Sequence, residues 1–285
     1  MAIEYSRLKG FSVEIAHEYT VRDVLLYALG LGLGNDPERP DDLDFVYEDG
    51  LKVLPTFAGV MGYPGGWLRN SGIDTKKVLN GEQGVILHRP LPVKGRVVGR
   101  ARVEEIVDKG REKGALIYTA RDVVDAESGA LYATITNTAF ARGDGGCGGG
   151  GVVLRELPAE PDGPPEFAID MPTLRQSALV YRLSGDYNPL HADPALARSV
   201  GFDRPILHGA ATWGIAGYAL MRALCSGNSV LFKRLDARFS SPVYPGETIR
   251  TEIWRTGAGR ASFRCRVIER NVTVLRSGDF EYEAS

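Results

Sequence analysis

Histidine and cysteine are scarce: 285 residues contain four histidines and three cysteines. Cys147, Cys225 and Cys265 are odd in number and far apart, and no Cys-x-x-Cys or Cys/His spacing occurs. That argues against a zinc site and against a disulfide framework, and it points to a reducing, cytoplasmic interior. No apolar run approaches the ~20 residues of a membrane span. The N-terminus "MAIEYSRLKGF" lacks an apolar signal core, and the C-terminal "YEAS" is neither a peroxisomal nor a retention address. No charge sign dominates: 34 Lys and Arg face 36 Asp and Glu, for a net charge of −2. That balance gives no reason to expect nucleic acid or a membrane surface as partner, although it permits a local basic patch for a phosphorylated ligand. The chain does contain ordinary globular material, 44% hydrophobic and 25% charged. The length suits two modest domains or one large one.

Glycine and proline are concentrated in two places. "RGDGGCGGGGVV", Arg142–Val153, is too glycine-rich to form a helix or strand cheaply. No Lys-Ser/Thr follows it and no Gly-x-Gly-x-x-Gly lies between strand and helix, so it reads as a flexible surface loop rather than a phosphate loop. "PAEPDGPPE", Pro158–Glu166, reads as a second linker. The expected division is an N-terminal unit over 1–142, a linker over 143–166 and a C-terminal unit over 167–285.

The two units follow one plan. "YTVRDVLLYALG" offers Thr20 as N-cap, Asp23 as its capping-box partner and Gly30 as a stop. "MPTLRQSALVYRLSGD" offers Thr173, Gln176 and Gly185 in the same roles. A more apolar helix follows in each, "LPTFAGVMGYPGG" ending early and "LHGAATWGIAGYALMRALC" running long. Alternating runs come next, such as Thr248-Ile249-Arg250-Thr251-Glu252-Ile253-Trp254, which predict antiparallel strands with one wet face. A turn ending in glycine recurs at Leu91–Gly95 and Pro242–Gly246. The shared order indicates internal duplication. The helix over Leu207–Cys225 is small or apolar on nearly every face, so it must be buried all round. A curved antiparallel sheet wrapped around such a helix meets that need. Two such units side by side make an α+β double hotdog.

The stretch "GDYNPLHADP", Gly185–Pro194, places an acid, an amide and a histidine on one stiff bridge. Asn188-Pro189 favours an extended turn, and Asp193-Pro194 starts the next helix as cap and first residue. Asp186 and His191 then flank a space where one takes a proton from water and the other gives one to carbon, with Asn188 orienting the water or the acid. Gly209 opens the buried helix downstream, where unpaired N–H groups and the helix dipole favour a negative oxygen. Taken singly, these residues have plainer readings. Asp186 serves as a helix stop or Asx turn, and His191 is open between structure and catalysis. His208 caps or packs, His17 and His88 are ordinary surface or edge-strand residues, and Cys225, Trp213 and Tyr218 are core. The combination is what points to chemistry.

"YRLSGDYNPLHADPALARSVGFDRPILHGAATWG" resembles the hydratase motif of MaoC-like, (R)-specific enoyl-CoA hydratases of the hydratase 2 class. "LLYALGLGLGNDPERPDDLDFVYEDG", "LPTFAGVMG" and "VLNGEQGVILHRPLPVKG" extend the resemblance to the two-hotdog form found in peroxisomal multifunctional enzymes. The resemblance implies reversible hydration of a trans-2-enoyl-CoA to an (R)-3-hydroxyacyl-CoA. In it Asp186 and His191 match the acid/base pair, Asn188 the support for the water and Gly209 the backbone donor to the thioester oxygen. Tyr181, Tyr27 and Glu48 match further functional positions. It implies no metal and no redox cofactor, coenzyme A being part of the substrate, and it implies a homodimer, while two hotdogs in one chain also make a monomer physically reasonable. The histidine-free "GLGNDPERPDD" matches a first hotdog that has lost its catalytic loop and accommodates the acyl chain, leaving one active site per chain. Asn80 in "NGEQ" departs from relatives that carry histidine there. Two other expectations compete: a hotdog acyl-CoA thioesterase, and a non-catalytic acyl-CoA binding module.

Overall fold

The computed structural model describes residues 5–74 and 77–284. The strands are β1 (Ser12–Tyr19), β2 (Val78–Leu87), β3 (Gly95–Asp108), β4 (Ala115–Asp125), β5 (Leu131–Ala141), β6 (Phe167–Pro172), β7 (Phe232–Phe239), β8 (Thr248–Gly257), β9 (Arg260–Val267) and β10 (Val272–Tyr282). The α-helices are α1 (Tyr5–Lys9), α2 (Val21–Gly30), α3 (Leu43–Val46), α4 (Ser177–Tyr181), α5 (Pro194–Ser199) and α6 (Gly209–Cys225). Among the described residues the ten strands form one sheet in the order β1-β3-β4-β5-β2-β7-β10-β9-β8-β6. Read from either edge, the sequence of equivalent strands is the same. The duplicated plan is therefore a pseudo-twofold about the antiparallel β2–β7 seam, where Gln83 faces Ala237 and Val85 faces Leu235.

The fold is a double hotdog, but its two units carry unequal helices. In the C-terminal unit α6 runs 17 residues and is buried along most of its length. In the N-terminal unit "LPTFAGVMGYPGG" forms only a 3-10 turn, Pro55–Gly59. Gly62 and Gly65 follow in left-handed conformations at φ 59° and 59°, which side chains avoid, so no α-helix continues there. The small residues of α6 bring the units together. A Cβ on Gly217 would lie 2.6 Å from Thr56, and one on Gly214 would lie 2.9 Å from the Tyr27 hydroxyl. Trp213, Ile215 and Leu220 of α6 share one buried cluster with Tyr27, Phe57 and Met61 of the other unit. Each large apolar side chain so buried contributes about 1.5–3 kcal/mol.

Three local expectations change. The capping box at α2 forms, with the Asp23 carboxylate accepting from the Thr20 N–H at 2.8 Å and from its hydroxyl at 2.7 Å. Its counterpart does not. Thr173 lies just past the end of β6, where its hydroxyl donates to the Glu247 carbonyl at 2.7 Å, and α4 starts four residues later with Gln176 at a cap position it does not fill. The edge strands β1 and β6 had no counterpart in the sequence reading, because short half-exposed edges bury too little to stand out. The glycine loop, expected to be flexible, is docked. The Asp108 carboxylate takes the N–H groups of Gly110, Gly146 and Gly148 at 2.8, 2.9 and 2.9 Å. These bonds, Gly146's foremost, hold its carboxyl below the usual range. Two of the loop's donors, the Gly146 and Gly148 N–H groups, are thus occupied by the chain's own anion.

Candidate active site

α4 tightens into a 3-10 turn at Arg182–Ser184 and stops at Gly185, whose φ of 114° suits glycine. Beyond it Asp186 makes an Asx turn, one carboxylate oxygen accepting from the Asn188 N–H at 3.1 Å. Among the described residues its second oxygen bonds to nothing in the chain. Asn188 in turn caps the turn Pro189–His191, its side-chain oxygen accepting from the Leu190 N–H at 3.1 Å. Its amide NH2 stays unengaged among the described residues, and the residue is exposed. Asp193 caps α5 through Ala195 at 2.7 Å, with Pro194 first in the helix. The bridge is thus fixed at both ends by backbone hydrogen bonds.

His191 is 8% exposed, and its Nδ1 lies 2.9 Å from the Ile206 carbonyl. A carbonyl only accepts, so Nδ1 carries the proton and Nε2 is left as a bare acceptor. Burial lowers its pKa, opposed by the Ile206 carbonyl and by Asp186. His208 stacks on it, with ring centroids 3.7 Å apart and planes at 26°. The Nε2–H of His208 donates to the backbone carbonyl of Asp186 at 3.1 Å, while its Nδ1 is buried without a partner. Burial first, then the neighbouring His191, keep His208 neutral near pH 7. Ligand-type atoms of Asp186, His191 and His208 all lie within 4.8 Å of one another.

Gly209 is the first residue of α6, and among the described residues no acceptor in the chain takes its N–H. A Cβ there would lie 3.1 Å from the Phe239 ring, so glycine lets that ring close against the helix start. Tyr181 is buried with its ring 4.9 Å from His208, and the Tyr27 ring lies behind it at 5.7 Å, tilted by 50°. Burial raises the pKa of both hydroxyls.

The structure thus brings together Asp186, His191, Gly209 and Tyr181, with Tyr27 behind and Asn188 on the rim. It does not bring in Glu48, which is exposed after α3 and makes no hydrogen bond, ion pair or ring contact among the described residues. His208, read from sequence as a cap or packing residue, packs inside the cluster. The available signal was its place immediately before the glycine that opens a buried helix. Asn80 is exposed on β2. In the matching region of the first unit, Asp42 accepts from the Gly34 N–H at 3.0 Å and from the Tyr218 hydroxyl, so its carboxylate is engaged in structure. Tyr218, Trp213 and Cys225 are core, as expected. His88 is exposed beside Thr134, and His17 accepts from the Gly62 N–H at 3.0 Å.

Comparison with known proteins finds two family matches. Residues 17–143 match the MFE-2 hydratase 2 N-terminal domain, and residues 156–277 match the MaoC like domain. The chain is 41% identical over its whole length to the 3-hydroxyacyl-thioester dehydratase Y of Mycobacterium tuberculosis, of which it covers 100%. It is 37% identical to the peroxisomal enoyl-CoA hydratase 2 of Arabidopsis thaliana, over 92% of this chain and 90% of that one. A solved MaoC-like dehydratase from Phytophthora capsici superposes with a TM-score of 0.87 at 33% identity, over 98% of this chain and 97% of that one. By these likenesses the chain belongs to the MaoC-like dehydratases, in the two-unit form of hydratase 2.

Proposed function

We propose that the protein is a hydro-lyase that hydrates trans-2-enoyl-CoA thioesters reversibly to (R)-3-hydroxyacyl-CoA thioesters. One observation carries the reading: a neutral, bare-acceptor imidazole and a carboxylate lie on one fixed bridge, beside a helix N–H at Gly209 that is unpaired among the described residues. Water placed between His191 Nε2 and the free Asp186 oxygen loses a proton to one of them as its oxygen bonds the β-carbon. The π electrons move onto the thioester oxygen, where the Gly209 N–H stabilises the developing enolate. The pair then delivers a proton to the α-carbon, so the site regains its starting state and water is added without residue. His208 holds the Asp186 backbone and the His191 ring in place. The Asn188 amide is available to orient the water. Tyr181 and Tyr27 form the wall behind the pair.

The division into a catalytic unit over 167–285 and an acyl-accommodating unit over 1–142 belongs to the same proposal, as does assembly into a homodimer. The relatives named above act on acyl thioesters by name, which supports coenzyme A esters as substrate class. Loss of enoyl absorbance, followed by chiral analysis of the product, tests the reading. An (R)-3-hydroxyacyl-CoA product supports it. An (S) product, or release of free thiol from saturated acyl-CoA without hydration, overturns it.

A further inference from the structure

Arg121 lies on the inward side of β4 and is 5% exposed. Its Nη2 donates to the carbonyls of Ala58 and Gly59 at 3.2 and 2.6 Å. Its Nε–H is buried, and among the described residues it has no acceptor. The guanidinium carbon stands 5.6 Å from the centre of the Tyr63 ring. Among the described residues no carboxylate pairs with it. Burial pushes its pKa down to about 10, which leaves it charged at neutral pH.

A buried cation without an anion is costly, and folds keep one only where something compensates it. Closing the turn Pro55–Gly59 accounts for Nη2. It does not account for the idle Nε–H, or for a full charge where a neutral amide donor would serve two carbonyls. Position supplies the rest. Ala58 and Gly59 follow Phe57, whose ring lies 5.4 Å from Tyr27. Tyr27 leads to Tyr181 at 5.7 Å, Tyr181 to His208 at 4.9 Å, and His208 to His191 at 3.7 Å. An unbroken run of rings therefore connects the reacting loop to the turn that Arg121 closes. Trp213 Nε1, another buried donor without a partner, belongs to a ring lying 3.5 Å from where a Gly59 Cβ would be.

Resting on the hydratase reading above, we propose that Arg121 is a specificity-determining residue that receives a carboxylate at the far end of the acyl chain. The preferred substrates are then ω-carboxy enoyl thioesters rather than methyl-ended ones of equal length. The carboxylate accepts from the idle Nε–H and supplies the missing anion, a charge-assisted pair in a water-poor interior.

The test compares kcat/KM for length-matched ω-carboxy and methyl-ended trans-2-enoyl-CoAs in the wild type, in Arg121→Gln and in Arg121→Lys. The wild type is expected to favour the ω-carboxy series by roughly 10- to 100-fold, the range of a hydrogen bond to a charged group. Arg121→Gln abolishes that preference and Arg121→Lys keeps part of it. No preference in the wild type, or an unchanged preference in Arg121→Gln, overturns the assignment, and the wild-type comparison stands even if a variant does not fold. If neither series is hydrated, the hydratase reading fails. Calorimetric binding of saturated ω-carboxy and methyl-ended acyl-CoAs to the wild type then judges Arg121 alone. Tighter binding of the ω-carboxy ester supports the proposal, and equal or weaker binding overturns it.

Discussion

His191 donates its Nδ1 proton to the Ile206 carbonyl, and that single bond decides which nitrogen is left as a free acceptor. Its consequence is visible in pH. Burial lowers the pKa of both His191 and His208, so their protonation opposes folding and, in the proposed mechanism, catalysis. The sign follows from the depressed folded-state values. Stability from these groups is complete above the unfolded histidine pKa of about 6.5 and declines as pH falls through the folded values. The acid limb of kcat/KM is therefore expected below about pH 6.5, with inactivation on acidification, and a pH–rate profile checks it. An acid limb above that range would contradict a neutral His191. Asp186, His191 and Gly209 were legible in the sequence because their types and order carry chemistry. His208 was not, because one histidine before a helix start reads equally as packing. Only the stacked geometry shows that it touches both members of the pair. Arg121 was invisible for a related reason: in sequence it is one more charged residue, and only its burial without an anion sets it apart.

At the scale of elements, close backbone approaches explain where patterns held and where they failed. Gly99 of β3 lies against Gly62, and a Cβ on it would stand 2.2 Å from the Gly62 carbonyl oxygen. That contact seats the segment following the 3-10 turn on the sheet, and no flexible side chain is there to give way. Gly99→Ala is expected to cost about 1–3 kcal/mol, as overpacking does, read as a lowered midpoint in urea unfolding. An unchanged midpoint would mean that the approach is looser than described. The strands after each helix were legible from alternation, and α2 and α5 from their caps. The Thr173 cap failed because a Ser/Thr followed by Gln three residues on is also met where a strand ends, and here the hydroxyl serves the β6–β8 edge. "LPTFAGVMG" failed as a helix because Pro55 opens it and glycines in left-handed conformations close it within two turns.

Across the whole molecule, the duplicated plan produces one body. The sheet is continuous through β2 and β7, and one buried cluster draws on both units. The Tyr218 hydroxyl of α6 donates to Asp42 of the first unit, a buried acid that also holds the Gly34 N–H. Tyr218→Phe leaves that carboxylate short of a donor and is expected to destabilise the chain by about 1–3 kcal/mol. Thermal unfolding of the wild type followed by fluorescence and far-UV circular dichroism should give one coincident transition, and the variant the same transition at lower temperature. Two separate transitions would show that the units fold independently. The account's central claim, that Asp186 and His191 activate water for addition to an enoyl thioester, is tested most directly by one kinetic comparison. Hydration of trans-2-enoyl-CoAs is measured for the wild type, Asp186→Asn and His191→Ala, each checked for native circular dichroism. The account predicts turnover by the wild type and a loss of about 10²–10⁴-fold in kcat for each folded variant. Wild-type rates in either folded variant would contradict it.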